Sequence, residues 1–391
     1  MKKINRLLAL AFSSFVVFTS CSKEVLDKFP GHGNGGNGHE QPRDTTKVPV
    51  PGGPGVPGKP VADSVSFQVK AAIQVGQYMY DSIPAILRLQ TWDSSMVMHE
   101  TTIELNPGTN RIKVPKAHTR VHLQLSQWGI TEEKDFTIDE VVTQPVIVMG
   151  GSKAAKKLKL EESFRYIQGN YYPNGKIVYH YNNQDKISKV DMYDKLPQYA
   201  DLQLIHYNQY FYSGSKVSTI KMYKPNQEQV ATTEFTYDGL GRIVNMNQDS
   251  YGNKTHNSVE YSYSDGAGEI TLYYLYDNGQ AVQYRMNFSG GNKISDEATT
   301  STGKGEGGSY GYDHYINPFI HMDMPTLYFA NMSKNNMIRK QKAYSGAFPS
   351  VIPYKFEYRY DADGYPVELV ESYKSPVTGE HLYKIKTVYT Y

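Results

Sequence analysis

The sequence lacks two features that would narrow its biochemistry at once. It has a single cysteine, Cys21, so no disulfide can form within the chain. It also lacks an excess of charge, since 41 lysines and arginines stand against 39 aspartates and glutamates. Three of the basic residues lie in positions 1–20, which leaves 38 against 39 for the remainder. This balance argues against a nucleic-acid partner.

Catalytic motifs are also scarce. The chain contains no H-E-x-x-H zinc motif and no P-loop, and its only cysteine follows an apolar run near the N-terminus. We therefore predict a noncatalytic protein without a metal or another cofactor. A carboxylate pair for glycan hydrolysis is an open alternative, because the separation of such a pair is set by the fold.

Residues 1–20 have the form of an export signal. Three basic residues precede an apolar run of 12 residues, Leu7 to Phe18, which is shorter than the roughly 20 residues that span a bilayer. The run leads into "VFTSC", which resembles the lipobox of bacterial lipoproteins, with Cys21 as the lipidated residue. Ser22 follows, where aspartate would favour the inner membrane. The resemblance implies a lipid anchor in the outer membrane and leaves surface or periplasmic exposure open.

A glycine- and proline-rich tether is predicted over residues 21–60. Between Pro30 and Pro60, sixteen of 31 residues are glycine or proline, so this stretch cannot bury a packed core. Such a tether would hold a folded part away from a lipid surface.

Residues 61–152 have the alternation of β-strands and contain both tryptophans. In "VHLQL" (Val121–Leu125), for example, every second residue is apolar. We predict a small immunoglobulin-like sandwich. His118 and His122 are four residues apart, and on a strand this places them about 13 Å apart, too far for one metal ion.

Residues 163–391 contain an imperfect repeat and 32 of the 34 tyrosines. Each copy has two aromatic or large residues one position apart, a polar or glycine-rich turn, a basic or polar residue, and usually a β-branched one. "FTYDGLGRIVNM" and "YRYDADGYPVEL" are clear copies. The second aromatic of each copy is Tyr181, Tyr212, Tyr237, Tyr263, Phe288 or Tyr360.

The repeat predicts consecutive antiparallel hairpins. A period near 25 residues accommodates two strands and two turns, and aromatic residues one position apart project from the same face of a sheet. We therefore predict an all-β protein in which the sandwich is followed by a β-meander of repeated hairpins, with an open or partly closed sheet.

"FTYDGLGRI" (Phe235–Ile243) resembles the YD repeat of Rhs-type proteins. Together with "YINPFIHMDMPTLYFANMSKNN" (Tyr315–Asn336) and "YRYDADGYPVEL", it makes residues 160–391 similar to a family of uncharacterised Bacteroidota lipoproteins with a porin-like fold. The resemblance implies location and fold, because the activity of that family is itself unestablished.

Two clusters have residue types that bind metals. "DADG" (Asp361–Gly364) has paired acids, but it lacks the oxygen, glycine and glutamate spacing of a calcium loop, so we interpret it as a hairpin turn. Asp313, His314, His321 and Asp323 lie within eleven residues. They would suit a metal or an acid–base pair, but a loop or short helix that caps one end of the sheet is the favoured interpretation.

The favoured function is that of a noncatalytic binding or scaffolding protein at the outer membrane, with a glycan or an envelope protein as partner. The predicted ligand-facing aromatics are Tyr358, Tyr360, Tyr237 and Tyr263, because flat rings bury area at a low entropy cost. One alternative is an envelope glycan hydrolase. The second is a membrane-spanning β-barrel, although "KFEYRY" puts charges opposite the aromatics.

Overall fold

The protein is nearly all β-structure within the residues that the structure describes, which confirms the predicted all-β class. The computed structural model describes residues 63–81, 83–264, 267–301, 303–325, 333–344, 350–374 and 379–391. The predicted signal peptide, the lipidation site Cys21 and the tether lie outside the described residues.

The first unit is a sandwich of short strands. One sheet has the order β6-β1-β9 and faces a four-stranded sheet of order β5-β4-β7-β8. A small third sheet, β10-β2-β3, continues from the first, since β2 follows β1 and β10 follows β9 in the chain. The strands are β1 Ser64–Ala71, β2 Ile73–Val75, β3 Tyr78–Tyr80, β4 Ala85–Asp93, β5 Met98–Leu105, β6 Thr109–Pro115, β7 His118–Gln127, β8 Ile130–Thr137, β9 Ile147–Met149 and β10 Ser152–Lys153.

Strict alternation builds the sandwich core. Every second residue is buried from Ala85 to Thr91 in β4 and from Val121 to Leu125 in β7, and Leu87, Leu123 and Leu125 have no exposed surface. Burying each of these side chains contributes roughly 1.5–3 kcal/mol. His118 and His122 lie on β7 as predicted, where they bond to different partners, Thr91 and Asp135.

The second unit is a closed antiparallel barrel, and here the prediction of an open or partly closed sheet is wrong. Among the described residues, sixteen strands pair in sequence order and the last pairs with the first. The strands are β11 Leu160–Ile167, β12 Asn170–Tyr181, β13 Ile187–Asp194, β14 Gln203–Ser213, β15 Lys216–Tyr223, β16 Gln229–Tyr237, β17 Ile243–Ser250, β18 Asn253–Ser264, β19 Ala267–Tyr276, β20 Ala281–Ser289, β21 Asn292–Thr300, β22 Gly303–Ile316, β23 Asn335–Tyr344, β24 Ser350–Tyr360, β25 Pro366–Lys374 and β26 His381–Thr390.

Closure depends on the pairing of β11 with β26. Leu160 lies opposite Thr390, and the register continues without a shift to Arg165 opposite Ile385. This pairing satisfies the backbone groups that two free edge strands would leave open. The hairpin repeat contains no signal for it, because the two strands lie at opposite ends of the domain sequence.

The second aromatic of the repeat marks a β-bulge. The register shifts immediately before Tyr181, Tyr212, Tyr237, Phe288 and Tyr360, which all lie at the end of a hairpin's first strand. A bulge re-aims the side chain that follows it. Tyr263 differs, since β18 pairs with β19 in an unshifted register.

Strands β18 and β24 turn charged and polar side chains outward and cover the alternate side chains inside the barrel. On β24 the outward residues Lys355, Glu357 and Arg359 are exposed and alternate with the covered residues Phe356 and Tyr358. On β18, around the wall from β24, the exposed residues are Lys254, His256, Ser258, Glu260 and Ser262, and the alternate residues Thr255, Asn257 and Val259 are buried.

A short 3-10 helix, Pro318–His321, covers the end of the barrel that faces the sandwich. Phe319, Met322 and Met324 pack into the barrel core from this segment, and the Asn317 side chain accepts a hydrogen bond from the Phe319 backbone N–H. The predicted loop or short helix that caps the sheet is therefore present. In the sandwich, a capping box at Thr137 and Glu140 starts the one-turn helix α1, Ile138–Thr143.

The "DADG" turn joins the two units. Asp361 Oδ1 accepts hydrogen bonds from the backbone N–H groups of Asp363 and Tyr365, which shapes the turn. Lys156 Nζ lies 2.7 Å from Asp361 Oδ2 and 2.6 Å from Asp363 Oδ2, and Lys153 Nζ donates to the Asp363 carbonyl oxygen at 2.7 Å. The acids are turn formers and interdomain anchors.

Gly364 and Tyr365 complete this junction. Tyr365 has no exposed surface and belongs to the sandwich core, although it lies in a barrel hairpin. Gly364 has a φ of +83°, and a Cβ added there would lie 2.7 Å from the Trp128 ring. Only glycine therefore permits this turn to approach Trp128.

Candidate binding cleft at the barrel rim

The barrel end that faces the sandwich, here called the rim, is held by tyrosine hydroxyls. Each hydroxyl donates to a backbone carbonyl oxygen where the preceding hairpin's second strand begins, so neighbouring hairpins are linked. Each bond satisfies a phenol and an amide at once. The pairs are Tyr181 with Leu158, Tyr212 with Ile187, Tyr237 with Val217 and Tyr312 with Lys293, each at 2.7 Å, Tyr391 with Pro366 at 2.8 Å, and Tyr261 with Ile243 at 2.9 Å.

Cations cover several of these rings. The residue before the accepting carbonyl is basic in four links, and its charge lies over the donating tyrosine, an arrangement favoured by the quadrupole of the ring. This geometry accounts for the basic residue that follows the turn in the repeat. The distances to the ring centroid are 5.7 Å for Lys157 over Tyr181, 5.1 Å for Lys186 over Tyr212, 6.0 Å for Lys216 over Tyr237 and 4.6 Å for Arg242 over Tyr261.

A cleft of about 940 Å³ lies between the rim and the β2–β3 hairpin of the sandwich. This volume is typical of small-ligand sites. The cleft takes walls from three places: the hairpin, the rim and the segment of the 3-10 helix. Its aromatic and aliphatic lining includes Tyr78, Met79, Tyr237, Tyr261, Ile320 and Met324.

Charges of both signs stand at the edge of the cleft. Lys334 Nζ donates to the Met79 carbonyl oxygen at 3.1 Å and lies 3.9 Å from Asp81 Oδ1. Burial lowers the pKa of Lys334, and the charge of Asp81 opposes that effect. Lys216 forms no ion pair with any residue that the structure describes, so its ammonium group is available to a ligand.

Both carboxylates that line the cleft, Asp81 and Asp323, lie close to lysines. Burial favours a higher pKa for Asp81, but the hydrogen bond and charge of Lys70 together with the charge of Lys334 hold the pKa below its ordinary value. Asp323 Oδ2 lies 3.7 Å from Lys157 Nζ. A glycosidase needs one acid whose pKa is raised, and the lowered pKa of Asp81 does not suit that role.

His321 forms part of the buried base below the cleft. Its Nε2 lies 3.3 Å from the Tyr80 hydroxyl, and its ring meets Tyr78 edge-on at 5.3 Å. Burial lowers the pKa of His321 to about 4, so the imidazole is neutral at pH 7. Asp313 lies elsewhere and accepts hydrogen bonds from the Tyr360 hydroxyl and the Asn336 backbone N–H. Asp313 and His321, which are close in the sequence, therefore bond to different partners and do not form one site.

Of the four predicted ligand-facing aromatics, Tyr237 lines the cleft. Tyr358 and Tyr360 project into the closed barrel from β24, 5.7 Å apart, and Tyr360 stacks on Tyr315 at 3.9 Å. Tyr263 lies in β18, but its side chain is outside what the structure describes. The aromatic sheet face is thus an inner wall, because the sheet closes.

The paired acids of the "DADG" turn are occupied by the lysines of the interdomain junction. Over the part of the chain that the structure describes, no group of three or more histidine, cysteine, aspartate or glutamate side chains is placed to hold a metal ion.

One serine, Ser309, lies in a sequence motif of catalytic nucleophiles, but the fold places it in a strand. Gly307–Gly311 reads "GGSYG" and fits the G-x-S-x-G pattern of a nucleophile elbow, which requires a sharp strand-to-helix turn. Here the segment lies within β22, and Ser309 faces outward opposite Ser295 and Gln341. Its hydroxyl lies 3.4 Å from Gln341 Oε1. An extended, outward serine of this kind lacks the geometry of a nucleophile.

Glu161 and Glu371 are among the acids inside the barrel that sequence reasoning missed. Glu161 accepts a hydrogen bond from the Tyr179 hydroxyl, and Glu371 lies on the inner face of β25 near Lys340. Desolvation raises the pKa of each to about 7. The sequence contains a signal that could have identified Glu371. In Leu369, Glu371 and Tyr373, an acid occupies the strand face whose other residues are apolar or aromatic.

Comparisons by sequence and by structure give different results. The chain matches no protein-family model and no curated protein. It is similar to the crystal structure of a porin-like protein from Bacteroides uniformis, with 13% identity, a TM-score of 0.44 and coverage of 60% of this chain and 98% of that one. A porin-like protein from Bacteroides vulgatus gives 13% identity, a TM-score of 0.35 and coverage of 60% and 99%.

Among the described residues, no helix has the length and hydrophobicity that a membrane crossing requires.

Proposed function

We propose that the protein is a noncatalytic binding protein of the cell envelope, anchored in the outer membrane by a lipid on Cys21, and that its ligand occupies the rim cleft. The observation that carries the proposal is the cleft itself, about 940 Å³ between two packed units. A preformed concavity with apolar walls and a few convergent polar groups is the usual form of a ligand site.

A short glycan is the favoured ligand. Tyrosine and aliphatic side chains cover the faces of sugar rings at a low entropy cost. Lys216 and Asp323 line the cleft and supply a hydrogen-bond donor and an acceptor for hydroxyl groups. A loop of an envelope protein is the other partner class, and the test below separates the two.

The test uses the full chain with Cys21→Ser on a broad glycan array, followed by calorimetry of each hit. Ser215 lines the cleft and is exposed, so Ser215→Trp is expected to block binding. Ser258→Trp, on the exposed outer face of β18, is the matched control and is expected to bind normally. An empty array together with an envelope protein whose capture depends on Ser215 would replace the glycan by a protein partner.

The lipid anchor has its own test. Mass spectrometry of the mature N-terminal peptide is expected to show acyl groups on Cys21, and Cys21→Ser is expected to release the protein from the outer-membrane fraction. Protease treatment of intact cells then separates surface from periplasmic exposure. An unmodified Cys21 in the membrane fraction would contradict the anchor without affecting the cleft.

A membrane-spanning barrel is the second candidate, and the closed sheet of sixteen strands in the described chain favours it. A spanning barrel needs an outward apolar band about 25 Å tall, whereas the outward residues of β18 and β24 include Lys254, Glu260, Lys355, Glu357 and Arg359. We therefore expect alkaline carbonate to extract the Cys21→Ser chain. Retention of that chain in the membrane pellet would favour the spanning barrel.

A further inference from the structure

Two sectors of the barrel's outer wall, of six strands each among the sixteen described, have opposite charge. The first sector consists of the adjacent strands β26, β11, β12, β13, β14 and β15. Following the strand register, its outward positions hold five lysines against Glu162 and Asp191. The lysines are Lys176, Lys189, Lys221, Lys384 and Lys386.

The second sector runs from β16 to β21 and is acidic, and the strands β22–β25 separate it from β26. Its outward positions carry Lys254 and Arg285 against five acids. The acids are Glu234, Asp249, Glu260, Glu269 and Glu297. The near-zero net charge of the chain therefore conceals a charge separation across the barrel.

Aromatic rings lie between the lysines of the first sector. The outer surface of its six strands is here called the basic-aromatic face. Lys384 Nζ lies 4.7 Å from the Tyr166 centroid, and Lys386 Nζ lies 4.8 Å from that of Tyr171. Farther round the wall, three further lysines cover rings. They are Lys176 over Tyr193 at 5.5 Å, Lys189 over Tyr207 at 4.6 Å and Lys221 over Phe211 at 5.4 Å.

Most of this positive charge is not neutralised. Lys189 lies 2.8 Å from Asp191, whose side chain is only 8% exposed. The other four lysines form no ion pair with any described residue, and they contact rings instead. Phe211 is 42% exposed beside them.

We propose that the basic-aromatic face docks on the anionic headgroups of a lipid bilayer. Six adjacent strands make a convex surface about 24 Å wide, and convex walls suit a broad surface better than a small molecule or a single glycan chain. Lysines that interleave with tyrosine and phenylalanine match the chemistry of a membrane interface, where cations meet phosphates and aromatic rings lie at headgroup depth.

The proposal is independent of the rim cleft. It relies on the proposed lipid anchor only to hold the chain near a membrane, and the docking itself is a property of the barrel wall. Docking through the basic-aromatic face would turn the acidic strands β16–β21 toward water. It would also fix the direction in which the rim cleft opens.

The test is co-sedimentation of the full chain carrying Cys21→Ser with vesicles of phosphatidylcholine, with or without phosphatidylglycerol. We expect binding to the anionic vesicles that weakens as salt increases. The quadruple variant Lys176→Gln, Lys221→Gln, Lys384→Gln and Lys386→Gln is expected to lose more than about tenfold in affinity, since each lysine near an anionic surface contributes on the order of fivefold.

Two controls keep the result interpretable. Lys113→Gln, Lys254→Gln, Arg285→Gln and Arg339→Gln remove the same charge from exposed positions of β6, β18, β20 and β23. They are expected to leave binding within about twofold, because these strands are not part of the docking face. Arginine at the four lysine positions retains charge and ring contacts and is expected to restore binding. Equal loss in both quadruple variants, equal binding to neutral vesicles, or binding to an acidic polysaccharide without binding to anionic vesicles would overturn the proposal.

Discussion

The sandwich and the barrel use the same strand alternation to build different interiors. In the sandwich, side chains such as Leu87, Leu123 and Leu125 meet across two sheets that lie close together, and aliphatic volume fills the space. The barrel wall encloses a wider interior, and tyrosines such as Tyr179 and Tyr210 pack there beside aliphatic and methionine side chains. A tyrosine reaches farther than leucine, but its hydroxyl then needs a partner.

The difference shows how each unit tolerates polar groups. The barrel supplies partners for the phenols from its own backbone, as the link from Tyr237 to the Val217 carbonyl illustrates. The sandwich core instead includes Tyr365 of the barrel, which packs against aliphatic residues of the sandwich. The junction between the units is therefore the point at which both types of core can be disturbed at once.

The largest effect is expected at this junction. Gly364→Ala combines a positive φ with a Cβ 2.7 Å from Trp128, so we expect a loss of about 3 kcal/mol or more in the free energy of unfolding. Gly214→Ala is the control, because Gly214 has a φ of +60° and nothing near its Cβ. It is expected to cost about 1 kcal/mol. Equal losses in denaturant titrations would show that the turn does not press on Trp128.

The next effect concerns only the barrel and depends on pH. The raised pKa values of Glu161 and Glu371, about 7, mean that the folded barrel keeps both acids protonated after the unfolded chain has ionised. Stability from these groups is full below the unfolded pKa near 4.5 and is lost as the pH rises to about 7. We expect a decrease of at most about 3 kcal/mol per acid between these limits.

Denaturation curves of the Glu161→Gln, Glu371→Gln double variant at pH 5 and pH 8 check this expectation. The amide retains an acceptor for Tyr179 and removes the ionisation, so the double variant should lose most of the slope. An unchanged slope would assign the pH dependence to other groups.

A single rim link is expected to contribute about 1 kcal/mol. Tyr237→Phe removes the hydroxyl that donates to Val217 and leaves that carbonyl unpaired. Tyr273→Phe is the matched control, because its hydroxyl bonds to Glu260 at the exposed outer surface and its loss should be below about 0.5 kcal/mol. Thermal melting of both variants measures the difference, which disappears if the rim links are not structural.

The smallest effect is expected for Asp363→Asn. The Asp363 side chain is 39% exposed, and its ion pairs with Lys153 and Lys156 are open to solvent screening. The carbonyl bond to Lys153 remains. We expect a loss of about 0.5 kcal/mol that shrinks in high salt, and a larger, salt-independent loss would contradict this interpretation of the junction.

Local features could be predicted from the sequence because they depend on neighbouring residues. The alternation of Lys355, Glu357 and Arg359 with aromatic residues determines which face of β24 meets water. Closure could not be predicted, because it requires Leu160 to pair with Thr390 across the length of the domain. The rim cleft could not be predicted either, because its lining residues Tyr78, Tyr237 and Met324 come from three distant segments of the chain.

By itself, the sequence determined the all-β class, the hairpin repeat and the turn character of "DADG", because strand period and turn chemistry are local properties of the chain. Tertiary structure decided that the sheet closes, that Tyr358 and Tyr360 face an interior, and that Asp361 and Asp363 meet lysines of another unit. These outcomes depend on contacts between residues far apart in the chain, where loop closure and the packing of whole surfaces outweigh local preference.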